Sequence, residues 1–249
     1  MLEDLPGVDF QRATKSSQYN QFTMQGNLGP NRLLVLMDGV RIAHPSGGNY
    51  PIAENMALYM AKQVEVLYGP AAALYGADAV AGVINIVTEA GNGEEASWVA
   101  LGAGKNNTQE ASLMTSFAGK NLKLALGGHF QQSDRADLSK KYPSYYKKVN
   151  PADGKPDPSR ENYVSDIESH SAFLRLDYQE DLTLGYSRQY FSNLTSLADP
   201  YATTNFDKKA FWATATDTLY LRKRFELQEN LTASFTADYS LMRLDPASG

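Results

Sequence analysis

Residues 64–88 read VEVLYGPAAALYGADAVAGVINIVT, and this stretch decides the fold of the first part of the chain. Residues 64–68 alternate apolar and polar side chains, which is typical of a strand. Gly69 and Pro70 end that strand, and the alanines after the proline favour a short helix that Gly76 ends. The apolar run from Val83 to Val87 predicts a buried strand. The stretch therefore predicts strand, short helix and strand in succession.

A second apolar run lies upstream, at residues 33–37. Asp38-Gly39 follows it directly and is a strong hairpin signal, so residues 40–42 are predicted to return as a second strand. Residues 52–64 are mixed in character and are compatible with a short helix. We predict that residues 1–91 form a small α+β domain, which ends where Gly91-Asn92-Gly93 indicates a turn.

Residues 92–249 alternate with a period of two and predict about seven antiparallel strands. Short connections at 119–121, 179–181 and 226–230 alternate with long ones at 133–168 and 191–211. Short turns on one side and long loops on the other are typical of an outer-membrane barrel. Two strands break the pattern, with Phe173 on a polar face and Lys223 on an apolar one. Five aromatic residues are expected in an interfacial girdle: Trp98, Phe117, Tyr178, Tyr190 and Tyr239.

Composition excludes several classes of protein. No apolar run approaches the roughly 18 residues that a spanning helix needs. The net charge of −5 argues against nucleic-acid binding. With no cysteine and three histidines, we expect no metal site formed by the protein and no cofactor. An enzyme is also not expected, because Gly69 to Gly76 lacks the ending of a phosphate loop and no nucleophile elbow or paired-histidine helix occurs.

The quoted blocks resemble the plug domain of TonB-dependent outer-membrane receptors. Residues 5–8, 33–42 and 64–88 follow the order and spacing of that family and cover most of residues 3–90. The resemblance implies a plug at 1–91 and, at 92–249, the first part of a transmembrane β-barrel in the outer membrane of a Gram-negative bacterium. The chain does not begin with a signal peptide, and we expect both of its ends to be truncations.

Motif residues of the family are expected to have scaffold roles in the plug. Three of the glycines, Gly69, Gly76 and Gly82, would allow tight turns and close packing. Asp78 would accept backbone N–H groups in the loop that it begins. The complete set of motif positions is Asp38, Gly39, Gly69, Pro70, Gly76, Asp78, Gly82 and Asn85.

Two positions depart from the family pattern. Gln25 and Tyr68 stand where the family usually has arginines that pair with glutamates of the inner barrel wall. Neither side chain carries a charge, and charge-assisted hydrogen bonds are about twice as strong as neutral ones. The attachment of plug to barrel is therefore expected to be weaker at Gln25 and Tyr68, or rebuilt elsewhere.

The resemblance also implies a ligand above the plug, in contact with the loops at 14–19, 28–31 and 44–50. Side chains there that suit a polar or aromatic chelate are Lys15, Gln18, Tyr19, His44, Asn49 and Tyr50. The ligand class implied is a ferric siderophore, haem or a cobalamin-type metal complex. The lysines and tyrosines within 133–168 would suit a further surface for an anionic chelate or lipopolysaccharide, but such a stretch is more often an ordinary solvated loop.

By this resemblance the whole protein would be a monomeric barrel that imports a large, scarce solute. Its energy would come from TonB with ExbB and ExbD, through an N-terminal TonB box that this chain lacks. Three alternatives stay open from the sequence: a signalling or attachment receptor without net transport, a passive porin-like channel, and a soluble β-rich binding protein.

Overall fold

A computed structural model describes residues 6–11, 21–24, 26, 33–42, 58–88, 97–134, 136, 155, 166–179, 181–194 and 211–246. The predicted domain boundary near residues 89–95 lies outside these ranges. The elements before it are β1 (Val8–Gln11), β2 (Gln21–Met24), β3 (Leu33–Met37), β4 (Val40–Arg41), β5 (Ala61–Tyr68), α1 (Ala72–Tyr75) and β6 (Gly82–Thr88). The elements after it are β7 (Ser97–Gly104), β8 (Thr108–Ala118), β9 (Leu122–Ser133), β10 (Ile167–Tyr178), β11 (Leu182–Leu194), β12 (Phe211–Gln228) and β13 (Leu231–Leu244).

A four-stranded sheet organises the first group, in the order β4-β3-β6-β5. Strands β3 and β6 are parallel, and β4 and β5 pair antiparallel with their neighbours. Strands β1 and β2 form a separate antiparallel pair. One face of the larger sheet packs on that pair through Met24 and Ile84, and the other packs under the segment around α1 through Leu36 and Ala79. This is the small α+β fold that the sequence predicts.

The segment at 52–64 is described only from residue 58, and residues 58–64 differ from the prediction. Within the described residues it contains a three-residue 3-10 turn at Leu58–Met60 and no α-helix. Strand β5 begins directly after that turn, at Ala61, because its backbone pairs with β6 as far as Thr88. Pairing along an existing strand outweighs a weak local helix preference. No helix of the described residues combines the length and the apolar character that a membrane span requires.

The β3–β4 connection is the hairpin predicted at Asp38-Gly39. Met37 pairs with Val40, so the loop consists of Asp38 and Gly39 only. Both have positive φ, 49° at Asp38 and 78° at Gly39. Two successive positive φ angles define a type I′ turn, which aspartate followed by glycine adopts readily.

Seven antiparallel strands form the second group, in sequence order from β7 to β13. Short turns join β8 to β9, β10 to β11 and β12 to β13 at one end of this sheet. The last of them is shorter than predicted, because β12 continues to Gln228 across an irregularity after Glu226. Residues 134–166 and 195–210 connect strands at the opposite end.

The distribution of polar and apolar side chains on the two faces of the seven-stranded sheet is the reverse of that in a water-soluble protein. Leucines on the outer face are exposed, for example Leu174 by 46% and Leu184 by 40%. Small polar side chains on the inner face are buried, with Ser169 exposed by 2% and Thr218 by 1%. An extensive exposed apolar face indicates a surface for lipid or protein, and outward apolar with inward polar residues is the pattern of a membrane β-barrel. The predicted fold class is confirmed.

Glycines on the inner face make room for aromatic rings of the next strand. Gly127 pairs with Phe173, and Gly185 pairs with Tyr220. A Cβ at either glycine would overlap the ring that it faces. This explains why Phe173 breaks the alternation: its ring lies over the wall and is directed toward the first group of strands.

The predicted aromatic girdle needs one correction. Trp98 lies on the inner face, half-buried against a cluster that contains Met114, and is not at the outer surface. Phe117, Tyr178 and Tyr239 are exposed. The prediction for Trp98 was wrong because a strand-end position does not specify which face of the strand the side chain occupies.

Candidate functional site: the junction of the two sheets

Asp38 is the centre of the contact between the two sheets. Within its own sheet, one carboxylate oxygen accepts the backbone N–H of Thr88 at 2.9 Å and the other accepts the Thr88 hydroxyl at 2.8 Å. The Asp38 backbone N–H donates to the Ile86 carbonyl at 2.8 Å. The side chain is almost fully buried, with 5% exposed. The turn between β3 and β4 therefore holds a fixed, buried negative charge.

Arg175 of β10 faces that charge from the wall. Its Nη1 lies 3.3 Å from Asp38 Oδ2. Two further N–H groups of Arg175 donate to both oxygens of Asp177, at 2.9 and 3.1 Å, and Thr183 of the next strand also donates to Asp177. This fork fixes the plane of the guanidinium, so Arg175 is already oriented toward Asp38.

The side chain of Arg222, in β12, binds the backbone of the same turn. Its Nη2 donates to the Asp38 carbonyl oxygen at 2.8 Å. The guanidinium lies over Gly39, where a Cβ would stand 3.0 Å from Nη2. Glycine at position 39 thus supplies both the positive φ of the turn and the space for Arg222.

An apolar contact lies beside the charged one. Met60, which ends the 3-10 turn, is buried against Met114, Ala125 and Phe173 of the wall. Met37 and Trp98 pack around this cluster from the two sides. Burial of a large apolar side chain stabilises by about 1.5–3 kcal/mol, so this cluster contributes at least as much to the junction as the ion pair.

A third contact stacks Tyr59 on His129 of β9. The ring centroids are 5.4 Å apart and the planes are 25° from parallel. His129 Nδ1 lies 2.8 Å from the Ser112 hydroxyl. A hydrogen bond from Tyr59 to Glu110 of β8 raises the pKa of Tyr59, with burial adding to the shift. All three contacts lie on the inner face of the wall and join it to the small sheet by an ion pair, apolar packing and ring stacking, so they dock one sheet on the other.

Seven predicted site residues lie outside the described part of the chain. They include every ligand contact expected in the loops and one of the two divergent attachment positions. They are Lys15, Gln18, Tyr19, Gln25, His44, Asn49 and Tyr50.

The other divergent position, Tyr68, ends β5 opposite Gly82 and is 37% exposed. Its role in attachment stays a prediction. In the described residues, the charged part of the junction consists of Asp38 with Arg175 and Arg222. Its polarity is the reverse of the family pattern, because the anion is in the small sheet and the cations are in the wall.

The family motif residues occupy turns and close contacts. Gly69 and Gly76 have φ of 88° and 91°. At Gly82 a Cβ would overlap the Met24 sulfur and the Leu67 carbonyl oxygen. Pro70 precedes α1 and is exposed.

The two polar motif residues connect parts of the small sheet. Asp78 forms an ion pair with Arg41 at 2.6 Å, a contact that the sequence did not reveal. The Asn85 side chain accepts the N–H of Gly39 at 2.9 Å and donates to Glu65 at 2.8 Å. Asn85 thus links the hairpin turn to β5 and supports the geometry around Asp38.

Sequence reasoning missed the wall side of this site. The alternation of β10 predicts Arg175 and Asp177 on its polar face, but their partner lies far away along the chain, and periodicity gives no information about such pairs. A usable signal was present: an arginine and an aspartate two residues apart in a strand lie on the same face, where they can pair with each other and with a group that packs on that face. In the described residues no group of three histidine, cysteine, aspartate or glutamate side chains is arranged to hold a metal ion.

Comparison with known proteins identifies this architecture. A model of the TonB-dependent receptor plug domain matches residues 1–83. The fold resembles that of the ferric-catecholate import receptor Fiu of E. coli K12, with a TM-score of 0.67, 17% identity, and coverage of 98% of this chain and 34% of that one. The ferric yersiniabactin uptake receptor FyuA of Yersinia pestis gives a TM-score of 0.61, at 16% identity, with 97% and 37% of the two chains covered.

The plug-domain match, the curated relative and the fold neighbours all indicate the TonB-dependent receptor family. Among curated proteins the chain is 37% identical over 142 residues to the vitamin B12 transporter BtuB of Vibrio vulnificus, a match that covers 55% of this chain and 22% of that protein. It therefore spans about a fifth of that relative and about a third of the solved receptors. TonB-dependent receptors are transporters and receptors rather than enzymes.

Members of this family are outer-membrane β-barrel proteins of Gram-negative bacteria, and this chain is accordingly an outer-membrane protein. The four-stranded sheet belongs to the plug, and the seven-stranded sheet belongs to the barrel wall. The junction around Asp38 is thus a contact between plug and barrel.

Proposed function

We propose that this chain is part of a receptor that binds a metal complex at the cell surface and imports it into the periplasm in a TonB-dependent manner. One observation carries the proposal: a plug-type sheet is docked by charge and apolar packing on the inner face of a membrane-type wall. A plug held in this way blocks passive flow, and import then requires that energy be supplied to rearrange it.

The proposed division is a plug at 1–91 and barrel strands at 92–249. We propose TonB, acting with ExbB and ExbD, as the source of energy, and a monomeric barrel in contact with lipid and lipopolysaccharide. Because the curated relative at 37% identity is a vitamin B12 transporter, cobalamin is the first ligand to test, ahead of ferric siderophores and haem.

The experiment uses the full-length parent protein in a host that lacks its own cobalamin and siderophore receptors. Growth on limiting cobalamin, or on a single ferric siderophore, should depend on the receptor and should stop when a proton uncoupler is added. Uptake that persists with the uncoupler would indicate a passive channel. Ligand binding without growth would indicate a signalling or attachment receptor, and either result would overturn the proposal.

The ligand is proposed to contact Lys15, Gln18, Tyr19, His44, Asn49 and Tyr50. Replacing His44 and Tyr50 with alanine should weaken binding of the imported ligand in the full-length receptor. The matched control is Tyr75→Ala, since Tyr75 is an exposed plug tyrosine at the end of α1. If affinity is unchanged in both the His44 and the Tyr50 variants, this placement of the ligand is wrong.

A further inference from the structure

Arg175 is shared between two carboxylates, one in the wall and one in the plug. The wall carboxylate, Asp177, accepts the paired donors of the guanidinium, Nε at 2.9 Å and Nη2 at 3.1 Å. The plug carboxylate, Asp38, lies 3.3 Å from the remaining nitrogen, Nη1. A fork of two parallel bonds is the stronger geometry for an arginine and a carboxylate. Asp38 therefore makes the weaker of the two contacts with this cation.

Both carboxylates are also held by groups of their own sheet. Asp177 accepts the hydroxyl of Thr183 at 2.6 Å. Asp38 accepts the N–H and the hydroxyl of Thr88 at 2.9 and 2.8 Å. These bonds prevent either carboxylate from turning away from the other, and they do not depend on the contact between plug and wall. The closed junction thus places two like charges against one guanidinium, and separation of the sheets moves them apart.

The other charges on the inner face of the wall do not remove this repulsion. Arg222 donates to the Asp38 carbonyl oxygen at 2.8 Å, and Lys123 lies opposite Asp177 on β9. These cations attract Asp38 whether or not Asp177 is charged. Asp238, on β13, is exposed, and toward the turn the inner face of β12 carries one exposed cation and one exposed anion, which offset each other. Asp177 therefore lowers the positive potential that the wall presents to Asp38.

Asp177 also orients Arg175, which favours attachment, but this effect is the smaller one. The Arg175 side chain is 13% exposed, so packing within the wall already limits its conformations. Little conformational entropy is then left for Asp177 to remove. Charges in such partly buried surroundings are screened much less by salt than exposed ones, so the repulsion between Asp177 and Asp38 outweighs the gain from orientation.

We infer that Asp177 weakens the attachment of the plug, because it competes with Asp38 for Arg175. When plug and wall separate, Arg175 stays paired with Asp177, so release leaves no uncompensated arginine on the wall. Asp177 is thus a release-promoting residue of the barrel. The inference concerns the junction itself, and only its consequence for import rests on the proposed function.

The test uses full-length receptors that carry Asp177→Asn, Asp38→Asn or both. Asparagine keeps the size of the side chain and an oxygen that accepts a bond from Thr183, and it removes the charge. The matched control is Asp238→Asn, which removes an exposed carboxylate from the inner face of the same wall. Heat-modifiable gel mobility verifies that each barrel is folded.

Hydrogen exchange of peptides that cover residues 58–64 measures opening of the junction. This segment contains two of the side chains that contact the wall, Tyr59 and Met60. None of the substitutions changes its sequence, so its intrinsic exchange rate is the same in every variant.

Asp177→Asn should slow exchange at 58–64 by roughly tenfold, the size expected for repulsion between two carboxylates at one guanidinium in a protein environment. Asp38→Asn should accelerate exchange. Adding Asp177→Asn to Asp38→Asn should give no slowing, because the charge that Asp177 repels is then absent. Asp238→Asn should exchange as the wild type does.

Faster exchange in Asp177→Asn would overturn the inference, because Asp177 would then act as a support for Arg175. Unchanged exchange would overturn it as well, and so would equal slowing in Asp238→Asn or full slowing on the Asp38→Asn background. Import of cobalamin by the same variants separates the two proposals. Slower opening of Asp177→Asn in a receptor that imports nothing would support this inference and contradict only the proposed function.

Discussion

Replacing Asp38 with asparagine should loosen the plug from the barrel wall without disturbing the hairpin. Asparagine is nearly the same size and tolerates positive φ about as well as aspartate, so the turn at 49° is retained. Its amide oxygen still accepts the Thr88 N–H, and the amide group still reaches the Thr88 hydroxyl. The charge facing Arg175 is lost.

The size of the effect depends on the hydrogen bonds that Arg175 keeps in the variant. Breaking a buried ion pair costs about 3–5 kcal/mol when the remaining charge has no other partner. Arg175 retains both bonds to Asp177, so the cost should fall near that of one charge-assisted hydrogen bond, about 2 kcal/mol. At 1.4 kcal/mol per tenfold, local separation of turn and wall becomes about 30-fold more frequent.

Hydrogen exchange followed by mass spectrometry measures this opening in the full-length receptor. Exchange should accelerate in peptides that cover residues 33–42 of the plug and 170–178 of the wall. The control is Asp78→Asn, which removes the charge of a plug aspartate paired inside the plug with Arg41, both 32% exposed. Exposed pairs contribute about 0–1 kcal/mol, so wall peptides should not respond. Equal responses to the two variants, or unchanged exchange in Asp38→Asn, would refute this account of the junction.

Three further predictions concern the wall and its apolar contacts. Gly185→Ala should lower the free energy of unfolding by about 1–3 kcal/mol through overpacking, seen as a lower transition temperature in the heat-modifiable gel shift, whereas Gly128→Ala, whose Cβ meets only ordinary contacts, should leave that temperature nearly unchanged. Phe173→Ala should cost about 3–5 kcal/mol in the same assay, and the outward Leu174→Ala, 46% exposed, should cost clearly less; equal losses would contradict the assigned faces. Tyr59→Phe keeps the ring stack but loses one hydrogen bond, so it should destabilise the junction by about 1 kcal/mol below pH 10, and the difference should disappear as rising pH passes the raised pKa of Tyr59.

The local features of the fold were predictable because local chemistry determines them. Asp38-Gly39 specifies a two-residue turn whatever surrounds it, and a period of two assigns leucines to one face of each barrel strand. Phe173 and Trp98 could not be assigned in this way. Their positions depend on a glycine or a methionine cluster supplied by other strands.

The junction was less predictable than the fold. Asp38 was recognised as a motif residue, but the ion pair with Arg175 and the bond from Arg222 join residues that are far apart in the chain. Their meeting depends on how the plug sheet lies in the barrel, which no local pattern encodes. The expectation that attachment at Gln25 and Tyr68 is weaker stays a prediction.

Asp38 performs two tasks whose genetic consequences differ on the two sides of the junction. The same residue shapes the hairpin and carries the charge that the wall holds, so almost any substitution there is pleiotropic. Arg175 and Arg222 do not shape a turn, so substitutions at either can change the strength of the plug–barrel contact while the plug keeps its fold. We therefore expect evolutionary changes in the strength of plug attachment to occur at Arg175 and Arg222 of the barrel, while Asp38 of the plug stays constrained.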